Sequence, residues 1–295
     1  MNSNPLVSVI ITTYNREIAL LNNAIESVKN QSYKEIELII IDDNGVGSYL
    51  QIENQKTIKT DNNIIYIPNE KNYGAQVSRN IGILNSSGQY IAFLDDDDYW
   101  LPSKIEKQMD KILKDSSIGM VFCDGYVMND NNPDKRNNYQ EMPCFDIPIT
   151  YEMLLERDYI GTTTQVLIRS EAFARSGLFD YELPARQDYE MWIRIAKYNK
   201  IEGIPDHLFV HRTHEGNQIS KSSIRRGIGY LVIYNKNKEA YKKNKRAKCK
   251  ILLKVGKCFW ENKNYFKGLF FALRGLFSNP ICFFQMIIKR AQTNV

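Results

Sequence analysis

The chain opens its ordered pattern with Val7-Ser8-Val9-Ile10-Ile11-Thr12, a short apolar run that predicts a buried strand. Residues 17–30 then change period, and Ile18, Leu21, Ala24, Ile25 and Val28 fall on one helical face. Ile36–Ile41 is a second apolar strand, closed by Asp42-Asp43-Asn44-Gly45, and Ile64–Ile67 is a third. Residues 74–84 predict a helix, and Tyr90–Leu94 a strand that ends in acids. A further helix is expected to start near Pro102, a residue suited to a first helical turn. Gly119–Val127 is another strand candidate, and the polar, Asn- and Pro-bearing stretch 129–148 predicts a loop. Residues 150–220 alternate short helical and strand patterns. Strands alternating with helices predict an α/β fold with a mostly parallel sheet covered on both faces by helices. Ligands of such sheets bind beyond the carboxyl ends of the strands. The strand ends carrying Asn15, Asp43 and Asp95–Asp98 are therefore expected to converge on one cleft.

From residue 221 onward the pattern is helical. Leu252, Val255 and Phe259 recur at helical spacing, as do Phe266, Leu269, Phe270, Leu273, Leu276 and Phe277. Ser278-Asn279-Pro280 breaks that helix, and a last amphipathic piece runs through Phe283, Phe284, Ile287 and Ile288. The expected division is a domain over 1–220 and a basic helical extension over 221–295.

Charge sharpens that division. The extension holds 18 Lys and Arg against two acids, Glu239 and Glu261, while residues 1–220 hold 21 bases and 32 acids. Basic amphipathic helices lie in membrane interfaces, so an anionic membrane surface is a candidate partner of 221–295. The competing expectation is a helical hairpin packed on the rest of the chain. A basic surface also permits nucleic acid, but no recognisable nucleic-acid module is present, and none is expected as a partner. The overall composition, 43% hydrophobic and 25% charged over 295 residues, excludes a disordered, collagenous or disulfide-scaffold protein. Five cysteines, widely spaced and without a C-x-x-C pair, predict reduced thiols in a cytoplasmic protein and no zinc cluster. The N-terminus lacks a basic leader and reads as a strand, not a signal peptide. No window holds 18 uncharged apolar residues, so no membrane-spanning helix is expected.

The strongest chemical feature is Phe93-Leu94-Asp95-Asp96-Asp97-Asp98. Four successive carboxylates repel one another, and something cationic must offset them. A divalent ion held by one or two carboxylates plus substrate phosphates meets that need, and hard oxygen ligands favour Mg²⁺ or Mn²⁺. The spacing does not fit an EF-hand loop. The plainer expectation for Asp98 is a helix cap near Pro102.

Several segments together resemble family 2 glycosyltransferases. They are Val7-Ser8-Val9-Ile10-Ile11-Thr12-Thr13-Tyr14-Asn15, Ile41-Asp42-Asp43-Asn44, Asn72-Tyr73-Gly74-Ala75 with Arg79-Asn80-Ile81-Gly82, and the acidic run. Gly177-Leu178-Phe179-Asp180, Gln187-Asp188-Tyr189-Glu190-Met191-Trp192 and Arg212-Thr213-His214 resemble the acceptor half of the same family. The resemblance covers roughly residues 5–220. It implies a glycosyltransferase A fold, with about 1–128 binding a nucleotide sugar and 129–220 facing the acceptor. It also implies inverting transfer from a nucleotide-diphosphate sugar, with UDP favoured, to a glycan or glycolipid hydroxyl of a bacterial surface polysaccharide.

Residue roles follow from the same resemblance. Thr12 and Tyr14 are similar to residues that hold the nucleotide base, and Asp43 to the carboxylate that accepts the base's ring N–H. For Asp42 and Asp43 the plainer role is turn formation before Gly45. Asn72 and Arg79 resemble residues near the ribose and phosphates, although Arg79 also suits a helix surface. Asp95 is similar to a nucleotide or metal contact and Asp96 to a nucleotide-sugar contact, Asp97 to the direct metal ligand, and His214 to a histidine that meets the metal or pyrophosphate. Arg212 is a further candidate for the diphosphate. Asp188 matches the general base that takes the proton of the attacking hydroxyl. Its plainer role is a helix N-cap. Tyr189, Glu190 and Trp192 are candidate acceptor contacts. Gln187 stands where the family often carries Glu, a departure that gives some support to the rival expectation of an inactive nucleotide-sugar-binding or scaffolding protein of the same fold.

Overall fold

The computed structural model describes residues 4–58, 61–129, 139–141, 146–213 and 222–293. Its first strands are β1 (Val7–Thr13), β2 (Ile36–Asp42), β3 (Ile64–Pro68) and β4 (Tyr90–Asp95). Their connections are α1 (Ile18–Lys29), α2 (Tyr49–Ile58) and α3 (Ala75–Leu84). These bounds lie within about two residues of those read from the apolar pattern, the ordinary scatter of element ends. Further along come β5 (Tyr99–Trp100), α4 (Lys104–Ile112), β6 (Ile118–Asn129) and β7 (Tyr139–Glu141). They are followed by α5 (Tyr151–Glu156), β8 (Val166–Arg169), α6 (Ser170–Ser176), α7 (Gln187–Ala196) and β9 (Lys200–Thr213).

The strands form a sheet of order β3-β2-β1-β4-β8-β6-β9-β5, with β7 paired to β6. The first four are mutually parallel. Beyond β4 the sheet is mixed: β8 runs antiparallel to both β4 and β6, while β6 and β9 are parallel. The central strands are apolar on both faces. Val7, Val9, Ile10 and Ile11 of β1 are all buried, as are Ile39, Ile40 and Ile41 of β2. That two-sided burial explains why they read as continuous runs and not as an alternation. Register then fixes the site, because Thr12 lies opposite both Ile41 and Asp95. The carboxyl ends of β1, β2 and β4 therefore finish level. Gly82 allows α3 to sit tightly on this sheet, since a Cβ there would stand 2.5 Å from Ile10 Cγ2.

Two compact units divide the chain. The sheet unit comprises 1–149, 160–179 and 194–215. The helical unit comprises 150–159, 180–193 and 216–295. The second unit contains α5, the start of α7, and α8 (Ser223–Lys236), α9 (Lys238–Lys243), α10 (Lys245–Glu261), α11 (Tyr265–Ser278) and α12 (Pro280–Thr293). Ile251, Leu252, Val255 and Phe259 of α10 are buried at its centre. Helices α8–α10 share that core with 150–159 and 180–193. Tyr241 donates its hydroxyl to the Leu155 carbonyl at 3.1 Å, Tyr189 donates to the Leu154 carbonyl, and Lys236 bridges Asp180 and Glu190. Gly256 and Gly268 let α10 and α11 touch backbone to backbone, since a Cβ at Gly256 would lie 2.9 Å from the Gly268 carbonyl oxygen.

Among the described residues no helix is long and apolar enough to cross a membrane. Cys123, Cys249, Cys258 and Cys282 are buried free thiols. Cys144 lies outside the described residues.

Candidate active site

The level ends of β1, β2 and β4 bring the expected polar residues together within the sheet unit. Asn15 takes a left-handed conformation (φ 49°), which turns the chain sharply after β1. Its backbone N–H donates to Asn44 Oδ1 at 2.7 Å, tying the β1 end to the β2 end. The next residue, Arg16, reaches the β4 end. Its Nε lies 2.9 Å from Asp96 Oδ1, and its Nη2 lies 2.8 Å from Asp97 Oδ2.

The two acids that close β2 divide their labour. Asp42 is wholly buried and saturated. Its Oδ1 accepts from the Asn44 backbone and side chain, and its Oδ2 accepts from Asn54 and Tyr66. Four accepted bonds fill the capacity of a carboxylate, so Asp42 fastens the turn. Asp43 organises the loop that leads into α3. Its Oδ1 accepts from Asn69 at 2.7 Å and from the Tyr73 N–H at 2.9 Å, while Oδ2 accepts from the Gly74 N–H at 2.8 Å. That leaves acceptor capacity on Oδ2. Tyr14 and Asn72 are exposed beside these ends, and Asn72 Oδ1 also accepts the Gly74 N–H. Gly74 itself has φ 90°, a conformation open to glycine.

The acidic run is neutralised largely by arginine. Arg79, on α3, donates to Asp95 Oδ1 at 2.7 Å and is only 11% exposed, so it faces the strand end and not solvent. Asp95 also accepts from Thr163 Oγ1 at 3.2 Å. Burial pushes Asp96 up to about 7, against the pull of Arg16. Asp97 is the more open of the Arg16 partners, with 15% of its side chain exposed.

Asp98 does not cap α4, whose N-cap is Ser103. Instead it is buried and anchors the β9 end. It accepts from Thr164 Oγ1 at 2.7 Å, from the Arg212 N–H at 3.0 Å, and bonds His211 Nδ1 at 3.0 Å. Burial opposes a charge on His211, but the bond to Asp98 and the fields of Asp95 and Asp97 win and push it up to about 9. Burial also pushes Asp98 up, against the pull of His211, so the two groups hold a proton between them. His214 lies outside the described residues.

Asp188 belongs to the helical unit, in the first turn of α7 and two residues after Arg186, which has φ 68°. It is partly exposed. Since α7 begins at Gln187, Asp188 lies one residue inside the helix and not at its cap. Its neighbours Tyr189, Glu190 and Trp192 are all enclosed. Tyr189 bonds Leu154, and Glu190 pairs with Lys236 at 2.9 Å, so these side chains hold the helical unit together. Trp100 is likewise buried and donates its indole N–H to the Thr164 carbonyl.

Two residues of this cluster, Arg16 and His211, were not singled out from the sequence. For Arg16 a signal existed: it is a base one residue beyond the strand-end Asn15, where a cation was required. For His211 there was little to see, because its partner lies 113 positions away.

The profile of Glycosyl transferase family 2 matches residues 8–178. A relative in Escherichia coli K12 bearing the name colanic acid biosynthesis glycosyl transferase WcaA is 30% identical, over 82% of this chain and 84% of its own. A second Escherichia coli protein, the UDP-Glc:alpha-D-GlcNAc-diphosphoundecaprenol beta-1,3-glucosyltransferase WfgD, is 32% identical over 68% of this chain and 73% of its own. Among solved structures, S. aureus TarS 1-349 in complex with UDP-GlcNAc superposes with a TM-score of 0.61 at 14% identity, covering 90% of both chains. GalNAc-T7 with UDP, GalNAc and Mn²⁺ gives 0.62 at 19% identity, covering 80% of this chain and 48% of that one. The chain belongs to glycosyl transferase family 2, and its mixed sheet flanked by helices is the glycosyltransferase A fold.

Proposed function

We propose that this glycosyltransferase moves a sugar, with inversion, from a UDP-sugar to a hydroxyl of a growing, lipid-linked bacterial surface glycan. The observation that carries the proposal is the meeting of Asp43, Arg79 and Asp95–Asp97 at the level ends of three parallel strands, where nucleotides bind in sheets of this kind. The matched relatives support the donor and acceptor classes: the name of one specifies UDP-glucose and a diphosphoundecaprenol acceptor, that of another colanic acid. In this reading the enzyme works at the inner face of the plasma membrane.

In this reading Thr12, Tyr14 and Asp43 receive the base, with the spare capacity of Asp43 Oδ2 taking its ring N–H. Asn72 and Arg79 flank the ribose and phosphates, and Asp95 and Asp96 complete the nucleotide-sugar site. A divalent ion fits the residues present. Asp97 offers a partly open hard-oxygen donor, and no cluster of three or more protein ligands occurs among the described residues. That donor set suits Mg²⁺ or Mn²⁺, which take one or two carboxylates and fill the rest of their shell from phosphate and water. Asp97 would hold the ion, joined by His214. When bound, it supplies a positive charge that offsets the charge developing on the departing diphosphate.

Asp188 is the assigned base. The incoming hydroxyl is a weak nucleophile until a carboxylate takes its proton. Attack on the face opposite the leaving group inverts the anomeric centre. The decisive experiment incubates the protein with a panel of UDP-sugars, Mn²⁺ and diphosphate-linked lipid acceptors. Stabilisation by one donor and a product of inverted configuration are expected. Absence of UDP binding in the presence of Mn²⁺ would sink the donor assignment.

A further inference from the structure

Helix α11 is apolar on two opposite faces. Gly268, Phe271 and Gly275 are buried on one side, against α10. At 100° per residue, Phe266, Leu269, Phe270, Leu273 and Phe277 form a stripe about half a turn away. All five are exposed, Phe266 by 84% and Phe277 by 81%. Helix α12 carries a second exposed apolar set, in which Ile281 is 73% exposed and Phe284, Ile287 and Ile288 follow at helical spacing, also exposed. A helix apolar on all sides is normally covered on all sides. Soluble surfaces rarely leave so many large apolar side chains open on consecutive helices.

Charge decides what covers it. The segment 221–295 carries 18 bases and two acids. A second copy meeting this face through a two-fold axis would bring like charge against like charge. An anionic bilayer offers the opposite sign, and exposed Lys263 and Lys267 flank the start of the stripe. Aromatic and aliphatic side chains rimmed by lysine are what an interfacial helix presents to headgroups and acyl chains.

We propose that the outward stripe of α11, with the exposed apolar set of α12, is a docking face for an anionic lipid bilayer, with Phe266, Phe270, Phe277, Ile281 and Phe284 entering the interface. The assignment does not depend on the donor site, so the two can fail separately.

The test is sedimentation of the full chain with phosphatidylglycerol-containing vesicles, compared with pure phosphatidylcholine vesicles. Trp260 gives a second readout. It is 54% exposed at the end of α10, against Tyr265, while Trp100 and Trp192 are buried. The wild type is expected to pellet with anionic vesicles only, with a blue shift of Trp260 emission. The pair Phe266→Ser and Phe277→Ser, and separately the pair Lys263→Glu and Lys267→Glu, should each weaken partition at least about tenfold. Because all four side chains are exposed, both variants should melt like the wild type and bind nucleotide equally well. A wild type that stays in the supernatant, or variants that pellet undiminished, would overturn the proposal. So would a concentration-dependent dimer that Phe277→Ser abolishes, because a second copy would then cover the face.

Discussion

The guanidinium of Arg16 lies 2.8 Å from Asp97, the carboxylate assigned to the metal, and grips Asp96 at the same time. A protein cation thus stands at the charge a divalent ion would claim. Removing Arg16 exposes the repulsion within Asp95–Asp98. Arg16→Gln is expected to lower stability by about 1.5–3 kcal/mol in metal-free buffer, the range for charged hydrogen bonds. Mn²⁺ should then raise the melting temperature of the variant more than that of the wild type. Equal metal-induced shifts in the two proteins would show that Arg16 and the ion do not share Asp97.

Asp188→Asn keeps the shape of the side chain and removes its basicity. Transfer is expected to fall about 10²–10⁴-fold, the usual contribution of a positioned base. UDP binding, measured by calorimetry, should hold at the wild-type level. Undiminished transfer would move the base to another residue.

Asp98→Asn leaves three donors, from Thr164, His211 and Arg212, facing an amide that cannot serve them all. A loss of about 3–5 kcal/mol is expected, as when one member of a buried ion pair is removed. Urea unfolding measures it. A change below about 1 kcal/mol would mean that the β9 end is not held through this carboxylate.

Lys104 supplies a pH signature. It is wholly buried, with its ammonium 2.7 Å from Gln108 Oε1 and over the Trp100 ring, and burial pushes it down to about 8 from an ordinary value of 10.5. Between those two values the unfolded chain binds more protons than the folded one. The contribution of Lys104 to stability therefore rises with pH across that window and is flat below about 8. Lys104→Met should flatten this rise and stabilise the protein near neutrality, by up to about 3 kcal/mol before relaxation. Parallel stability–pH curves for variant and wild type would refute it.

Much of the sheet unit was legible because its central strands are buried on both faces, as the runs at Val7–Thr12, Ile36–Ile41 and Tyr90–Leu94 announce. The acids at their ends were legible too, since a polar cluster directly after a buried strand needs a reason. What escaped was pairing across long separations. Nothing local in Val166–Arg169 says that it inserts between β4 and β6. Asp98 was expected to cap a helix because a helical pattern with Pro102 follows it closely, yet its partners come from β9 and from Thr164. Arg16 and Arg79 supply much of the cation that the acidic run demanded; the position of Arg16 just past a strand end hinted at this, but its particular partners, 80 and 81 positions away, did not show. In the extension, the apolar period revealed the helices. It did not reveal that α8–α10 share a core with 150–159 and 180–193, nor which apolar stripe stays outside.

The bonds that Asp43 makes to Asn69, Tyr73 and Gly74 bear on how such an enzyme diversifies. One carboxylate directly after β2 stitches down the 69–74 loop, so replacing it would release that loop from the strand end. Tyr14 stands outside that seam with its side chain exposed, whereas Asn72 shares the Gly74 N–H with Asp43. Under the proposed function, altered preference for the nucleoside is therefore expected to arise at Tyr14, where a change can retune recognition while the stitching stays intact.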